Sequence, residues 1–258
     1  MGESRKLVIP SRARVKNMRR MLSLLPDAMV CVAKREEQDY AAAVGAGRLL
    51  VHDNLPGIIA IRNWLNQTIQ EDCLVMVDDD LKGVYPQIGK QVKVTDPELI
   101  AHVIHNSHQV AEDLDIGVFC WSRTRNIVNI EPDYLPFRFT APVMCSFGLR
   151  GPARQRRFDP ELPGRADIDF ALQTLLEDRI CLQDMRWYFD HGRIFAGRGG
   201  NAGQLSNDRF NQSTKRLYRK WGQFVARKRA GYIKSKAGSA VGLKVERSNP
   251  MVKFEVNA

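Results

Sequence analysis

The sequence lacks the features of a membrane-spanning or secreted protein. No apolar run approaches the ~20 residues that a helix needs to cross a bilayer. The N-terminus, Met1 to Lys6, leads directly into a strand-like segment and has no signal-peptide core. We therefore expect a soluble, cytoplasmic protein without a membrane partner.

The sequence is also poor in cysteine. Its five cysteines occur singly, their number is odd, and no Cys-x-x-Cys pair is present. This pattern excludes a disulfide framework and offers no cysteine-based zinc site. We expect buried thiols in a reducing compartment at Cys31, Cys73, Cys120, Cys145 and Cys181.

Acidic residues are missing from one long stretch near the C-terminus. The chain carries a formal net charge of +10, and from Lys215 to Lys236 it has nine basic residues and no acidic one. Such a block is typical of a surface that binds a polyanion, most commonly nucleic acid. The alternative is a solvated amphipathic helix that packs through Leu217, Trp221 and Phe224. The candidate nucleic-acid-binding residues are Lys215, Arg216, Arg219, Lys220, Arg227, Lys228 and Arg229.

Strand-like and helix-like segments alternate through most of the chain. Helical spacing of apolar residues is clear at Val15, Met18, Leu22 and Leu25. This alternation predicts an α/β fold with a mostly parallel sheet flanked by helices. Strands are expected at 6–10, 28–33, 48–52, 74–77, 116–122 and 143–150, and further helices at 36–44, 58–69 and 168–177.

We expect the chain to divide into a main domain, residues 1–200, and a basic C-terminal segment, residues 201–258, packed on that domain. Residues 201–211 are polar and contain glycine, which predicts a mobile loop at the boundary. The tail at 241–258 fits either a last strand or disorder, and both alternatives stay open.

Three consecutive carboxylates, Asp78, Asp79 and Asp80, follow the apolar run Leu74 to Val77. Carboxylates this dense repel one another, so a divalent cation is the expected neutraliser. A strand that ends in such residues delivers them to the crevice where open α/β sheets bind ligands. The alternative is that Asp79 and Asp80 open a turn and cap the next helix.

Two other segments are expected at the same sheet edge. Asp167 and Asp169 lie near the start of a predicted helix, where each is either a cap or a general base for an acceptor hydroxyl. Arg12 and Arg14 follow the first strand, where each is either a solvated charge or part of a phosphate clamp.

These motifs together resemble a known family. The strand with Pro-Ser-Arg at 8–12, the 57–64 helix, Val77 to Asp80, and Asp167 to Phe170 are similar to those of GT-A glycosyltransferases. The nearest resemblance is to the TET-associated glycosyltransferases, mostly of phages and their relatives, which glycosylate hydroxymethylated pyrimidines in DNA. The resemblance covers roughly residues 6–200, and it implies a GT-A, Rossmann-like fold.

The resemblance also implies how the sugar donor binds. Asp80, with Asp78, would face Mn²⁺ or Mg²⁺, and Asp79 or Asp78 would face the ribose. The first loop would hold the nucleoside, and Arg62 and Asn63 would point toward the sugar nucleotide, expected to be a UDP-sugar. The residues of that loop are Pro10, Ser11, Arg12 and Arg14.

The resemblance further suggests a base and a third metal ligand. The carboxylate motif usually reads Glu-Asp, but Ala166 occupies the Glu position here. This departure makes Asp167 the preferred base and Asp169 the second choice. His191 is the best-placed histidine to complete the metal shell.

The expected function is metal-dependent transfer of a sugar from a nucleotide sugar to a hydroxymethylated pyrimidine in DNA. For a phage-encoded chain, the location would be the cytoplasm of the host cell. One alternative is a GT-A enzyme that glycosylates a glycan or a small molecule. A second is a non-catalytic nucleic-acid-binding protein, although that would have no use for three costly carboxylates. The oligomeric state is left open.

Overall fold

The computed structural model describes residues 3–87, 92–122, 136–140, 143, 145–192, 206–227 and 241–245. The core of this part of the chain is a sheet of nine strands covered by helices. Its strands are β1 Arg5–Pro10, β2 Met29–Ala33, β3 Leu49–His52, β4 Cys73–Val77, β5 Gly83–Pro86, β6 Val118–Ser122, β7 Phe137–Arg138, β8 Ser146–Arg150 and β9 Leu182–Asp190. The α-helices are α1 Val15–Leu24, α2 Glu37–Val44, α3 Gly57–Thr68, α4 Pro97–Asp113, α5 Ala166–Glu177 and α6 Asn207–Trp221.

The sheet is mixed, and its N-terminal half is parallel. Its order is β3-β2-β1-β4-β8-β6-β9-β5, and β7 pairs with β9 outside this path. Strands β3, β2, β1 and β4 are parallel, whereas β8 runs antiparallel to both β4 and β6. Strand β9 is parallel to β6. The predicted α/β fold, a sheet flanked by helices, is confirmed.

These strand directions bring distant segments to one edge of the sheet. Val8 of β1 lies opposite Met76 of β4, so the residues after both strands are neighbours. Because β8 is reversed, its first residue, Ser146, lies opposite Val77 at the end of β4. Because β9 runs in the same direction as β4, its last residues also reach this edge. The edge therefore gathers the first loop, the aspartate triplet, Ser146 and His191.

Both faces of the sheet are covered, which explains the continuous apolar runs of the central strands. Along β4, Cys73, Val75 and Val77 face one core cluster, while Leu74 and Met76 face the other. This is the two-residue alternation of a strand. Helices α1 and α4 cover the first face, and α3 and α5 cover the second.

Helix α6 packs against α5 and the segment before it. Leu217 of α6 is fully buried in a cluster with Leu162 and with Ile168 and Leu172 of α5. A two-stranded ribbon, β10 Val225–Arg227 and β11 Val241–Leu243, joins the same cluster. In the parts of the chain described here, no helix is long and apolar enough to cross a membrane.

Several sequence predictions need correction. The predicted loop at 201–211 is wrong for residues 207–211, which begin α6. Strand β5, Gly83–Pro86, and the nine-residue strand β9 were not predicted. Burial of the thiols is confirmed for four cysteines, while Cys145 is only half-buried.

Candidate active site

Asp79 is the most enclosed carboxylate of the triplet. Its Oδ2 accepts a hydrogen bond from Ser11 Oγ at 2.7 Å, and its Oδ1 lies 2.5 Å from the Arg14 guanidinium. Its backbone carbonyl accepts from Asn17 Nδ2 at 3.0 Å. Burial raises the pKa of Asp79, and the bonds from Ser11 and Arg14 oppose that shift. Asp79 thus ties the first loop to the end of β4.

Tyr40 of α2 supports this loop from below. Its hydroxyl lies 2.7 Å from Ser11 Oγ and accepts the Arg14 backbone N–H at 3.0 Å. Tyr40 is fully buried. Tyr40 therefore fixes the loop through Ser11 and Arg14. The only sign of this role in the sequence is that Tyr40 is the single aromatic residue of α2.

Asp78 points to the other side of the triplet. Its Oδ1 accepts from the Arg62 guanidinium of α3 at 2.8 Å. The guanidinium carbon of Arg62 lies 5.1 Å from the ring centre of Phe147 and 5.7 Å from that of Phe158. The Arg62 Nε is buried and has no hydrogen-bond partner among the described residues. Since a buried unpaired donor costs ~1–3 kcal/mol, this N–H is a candidate contact for a ligand.

Asp80 and His191 come together at the open side of the site. Asp80 Oδ1 lies 2.8 Å from His191 Nδ1, and its side chain is 39% exposed. Its Oδ2 also lies 3.3 Å from Arg14. On the far side of the ring, His191 Nε2 lies 2.7 Å from Ser146 Oγ. Ser146 therefore sets the ring orientation, and its sequence position gave no sign of that role.

A carboxylate oxygen and an imidazole nitrogen in contact suit a divalent cation. In the described parts of the chain, no three His, Cys, Asp or Glu side chains form a metal-holding group. Mg²⁺ commonly takes one or two protein ligands and completes its shell with substrate phosphates and water. Asp80 and His191 fit this division, and a metal-bound histidine typically donates its second ring N–H to an acceptor, a place that Ser146 Oγ can fill at Nε2.

Two buried polar atoms lie at the ends of the neighbouring strands. Glu36, after β2, accepts the Ala13 N–H at its Oε1, while its Oε2 is buried without a partner among the described residues. His52, the last residue of β3, accepts the Leu55 N–H at Nδ1, so its proton is on Nε2. That Nε2 is also buried and unpaired within the described chain. Neither residue was selected from the sequence, although Glu36 lies just after a predicted strand and His52 is the last residue of one.

Asp167 and Asp169 differ sharply in their surroundings. Asp167, in the first turn of α5, is half-buried, and its carboxylate has no side-chain hydrogen bond or ion pair among the described residues. Burial raises its pKa, against the attraction of Arg62 and Arg165. Asp169 is completely buried and bonds to Gln173 and Trp221.

The other predicted donor residues have distinct positions. Pro10 is the buried last residue of β1, next to Ser11. Arg12 is half-buried and makes no ion pair within the described residues. The Asn63 amide is used in the interior: its Nδ2 donates to the Phe158 carbonyl at 2.9 Å and its Oδ1 accepts the Phe158 N–H at 2.8 Å.

The predicted nucleic-acid-binding residues are only partly described. Lys215, Arg216, Arg219 and Lys220 are exposed on α6. Arg216 pairs with Glu161, and Lys220 lies 2.8 Å from Asp159 and from Asp169. Arg227 is described only as backbone of β10, and Lys228 and Arg229 lie outside the described residues. The alternative of helix packing through Leu217 holds for the inner face.

Solved structures with a similar fold are sugar transferases. Glucosyl-3-phosphoglycerate synthase from Mycobacterium tuberculosis, in complex with Mg²⁺ and UDP, has a TM-score of 0.51 and 12% identity over 94% of this chain and 87% of that chain. The same synthase with phosphoglyceric acid has a TM-score of 0.52 and 13% identity over 86% and 81%. A mannosyltransferase from Pyrobaculum calidifontis, in complex with GDP-Man and Mn²⁺, has a TM-score of 0.53 and 10% identity over 85% and 65%. The fold is that of the GT-A glycosyltransferases.

The sequence places the chain more narrowly. The profile of the TET-associated glycosyltransferase family matches residues 5–200. The chain therefore belongs to the TET-associated glycosyltransferase family and is a glycosyltransferase. No curated protein sequence matches it.

Proposed function

We propose that this enzyme transfers a sugar from a nucleotide sugar, expected to be a UDP-sugar, to the hydroxymethyl group of a pyrimidine in DNA. The observation that carries the proposal is the arrangement of carboxylates at one sheet edge. Asp80 is 39% exposed beside the buried His191, Asp78 is held by Arg62, and Asp167 is half-buried without a side-chain partner among the described residues. This arrangement suits a diphosphate on one side and an acceptor hydroxyl on the other.

The donor nucleoside is assigned to the loop after β1 and the ends of β2 and β3. Two buried polar atoms there, Glu36 Oε2 and His52 Nε2, lack partners among the described residues, and so does Arg62 Nε of α3, beside Asp78. A bound nucleotide sugar offers both hydroxyl or imide donors and oxygen acceptors, so it would satisfy a carboxylate oxygen and two N–H groups. Arg12, without an ion pair in the described chain, is available to the donor phosphates.

Asp80 and His191 would hold Mg²⁺ or Mn²⁺, which when bound offsets negative charge on the departing diphosphate. Asp79 is fully engaged with Ser11 and Arg14, so we assign it to shaping the donor loop. Ser146 keeps His191 Nδ1 directed at Asp80. The protein thus supplies two ligands whose orientation is set before the donor arrives.

Asp167 is the proposed general base. It takes the proton of the acceptor hydroxyl while that oxygen bonds to the anomeric carbon and the carbon–oxygen bond to the diphosphate breaks. Its raised pKa brings the carboxylate closer in basicity to a group that works near neutral pH. Arg62, bonded to Asp78 and attracting Asp167, links the donor and acceptor sides.

DNA as the acceptor is supported by the family and by the charge of the chain. The net charge is +10, and the exposed face of α6 presents Lys215 and Arg219 without ion pairs among the described residues. Arg216 and Lys220 are already neutralised by acids of the catalytic domain. Binding through α6 therefore depends mainly on Lys215 and Arg219.

The decisive experiment is a transfer assay with a panel of radiolabelled nucleotide sugars. Each would be incubated with Mn²⁺ and with duplexes that contain hydroxymethylcytosine, hydroxymethyluracil or unmodified pyrimidines. We expect label on a hydroxymethylated duplex only, and loss of labelling with Asp167→Asn. Label on a glycan or small-molecule acceptor, with none on any duplex, would contradict the DNA assignment.

A further inference from the structure

We propose that α6 is a positioning element for the catalytic base, and that Asp169 is its anchor and not a second base. The proposal rests on the function proposed above, in which Asp167 is the base. Helix α6 lies at Asn207–Trp221, beyond the residues 5–200 that match the family. A segment outside the family core would therefore complete the acceptor side of the site.

The first step concerns Asp169, whose carboxylate has no exposed surface. Its Oδ2 accepts from Gln173 Nε2 at 2.7 Å, one turn along the same helix. Its Oδ1 accepts from Trp221 Nε1 at 2.6 Å and lies 2.8 Å from Lys220 Nζ, both on α6. A carboxylate enclosed by three donors cannot reach an acceptor hydroxyl, whereas it is well suited to hold two helices together.

The second step concerns the residues before Asp167. The Arg165 Nε donates to Thr214 Oγ1 of α6 at 2.9 Å, and its guanidinium carbon lies 4.2 Å from the ring centre of Phe210. Further upstream, Asp159 bonds to Lys220 Nζ at 2.8 Å. The base therefore lies between contacts to α6 on both sides.

The third step concerns the start of α5 itself. Arg165 is at its N-cap position and makes no side-chain capping bond. The carboxylate of Asp167 has no side-chain partner among the described residues and is bonded to backbone N–H groups of its own turn, those of Asp167 and Ile168. Its position therefore follows that of the first turn of α5, and the residues on both sides of Asp167 are held by α6.

The test uses Trp221→Phe, which removes one N–H donor, and Thr214→Val, which removes one hydroxyl at nearly the same volume. We expect each to lower turnover at saturating donor and hydroxymethylated duplex by on the order of 10–10²-fold, since small misplacement of a reacting group has this effect. Donor affinity in Mn²⁺ should change less than about twofold, because the donor contacts lie across the sheet edge. The matched control is Gln212→Ala, an exposed position of the same helix.

A second measurement does not depend on the acceptor. Amide hydrogen exchange at residues 165–169 should be faster in Trp221→Phe and Thr214→Val than in the wild type or Gln212→Ala. Wild-type turnover and exchange in both variants would overturn the proposal. A second result would also overturn it: both variants keep wild-type turnover, while Asp169→Asn is as inactive as Asp167→Asn. Asp169 would then be the base. A fully active Asp167→Asn variant would instead overturn the proposed function.

Discussion

At the scale of single residues, the three aspartates are alike in sequence but not in environment. Asp79 is buried against Ser11 and Arg14, Asp78 is paired with Arg62, and Asp80 remains 39% exposed beside His191. Each carboxylate is thus neutralised in a different way. Of the three, Asp80 has the exposure and the neighbouring nitrogen that a metal site needs.

Asp80→Asn should remove the part of donor affinity that depends on a divalent cation. The substitution keeps the shape of the side chain and removes the charge that a cation requires. Calorimetric titration of UDP with and without Mn²⁺ measures the effect, and the exposed Asp39→Asn of α2 is the control. A metal-dependent gain in affinity equal to that of the wild type would contradict the assignment of Asp80.

Asp167→Asn should lower turnover by ~10²–10⁴-fold, the usual effect of losing a general base. Wild-type turnover should rise with pH through the pKa of Asp167, because only the carboxylate accepts a proton. Burial raises that pKa, so the inflection should lie above the ~3.9 of an unperturbed aspartate. A pH–rate profile of the transfer reaction checks this. Turnover that is independent of pH down to the unfolding limit would argue against Asp167.

The same raised pKa predicts a change in stability. The folded state holds the Asp167 proton to higher pH than the unfolded state does, so this group favours folding at low pH and loses that contribution as pH rises through its folded pKa. Asp167→Asn, which is always neutral, should therefore be at least as stable as the wild type at pH 7. Thermal unfolding at pH 4 and pH 7 measures it. A loss of stability that is larger at pH 7 would show that ionised Asp167 is stabilised by the fold.

At the scale of elements, the N-terminal half of the fold could be predicted from the sequence because its strands are local apolar runs separated by helices. Helices α1 and α3 were predicted because their apolar residues recur at helical spacing. Strand β9 was missed because it mixes charged and aromatic residues, with Asp184 buried in a pair with Arg186. Such a strand is specified by its partners and not by its own pattern.

In the candidate site, too, local sequence patterns pointed to some residues and missed others. The sequence predicted the residues adjacent to strand ends, namely Ser11, Arg14 and the aspartates. It did not predict Tyr40 or Ser146, which act through contacts between segments distant in sequence. It also selected Asn63 for the donor, whereas both ends of that amide bond to the backbone of Phe158.

Asn63→Ala should therefore act on stability and not on donor binding. It breaks both bonds between α3 and the segment before α5, which leaves the buried backbone of Phe158 without partners. The loss should be about 1–3 kcal/mol of unfolding free energy. Chemical denaturation and UDP titration measure the two quantities, and Gln67→Ala, exposed on the same helix, is the control. If donor affinity fell while stability stayed unchanged, Asn63 would contact the donor after all.

At the scale of the whole molecule, some basic residues form ion pairs within the fold and others remain unpaired on the surface of the described chain. The chain carries a formal net charge of +10, yet several of its arginines form ion pairs within the fold, such as Arg150 with Glu3 and Arg156 with Asp178. On α6, Arg216 and Lys220 are paired as well. Lys215 and Arg219 therefore carry most of the charge that α6 offers to a polyanion.

DNA binding by the whole protein should weaken steeply with salt, because phosphate contacts release counterions. We expect log affinity to fall linearly with log salt over ~50–200 mM, and the double charge reversal Lys215→Glu/Arg219→Glu to flatten that slope. Fluorescence anisotropy with a labelled duplex measures it, with Lys16→Glu/Arg19→Glu on the exposed surface of α1 as the control for the same change in net charge. UDP affinity should be unchanged in both variants, since α6 is anchored on α5 and makes no contact with the aspartate triplet within the described residues. Equal slopes for both variants would mean that α6 is not the DNA-binding surface.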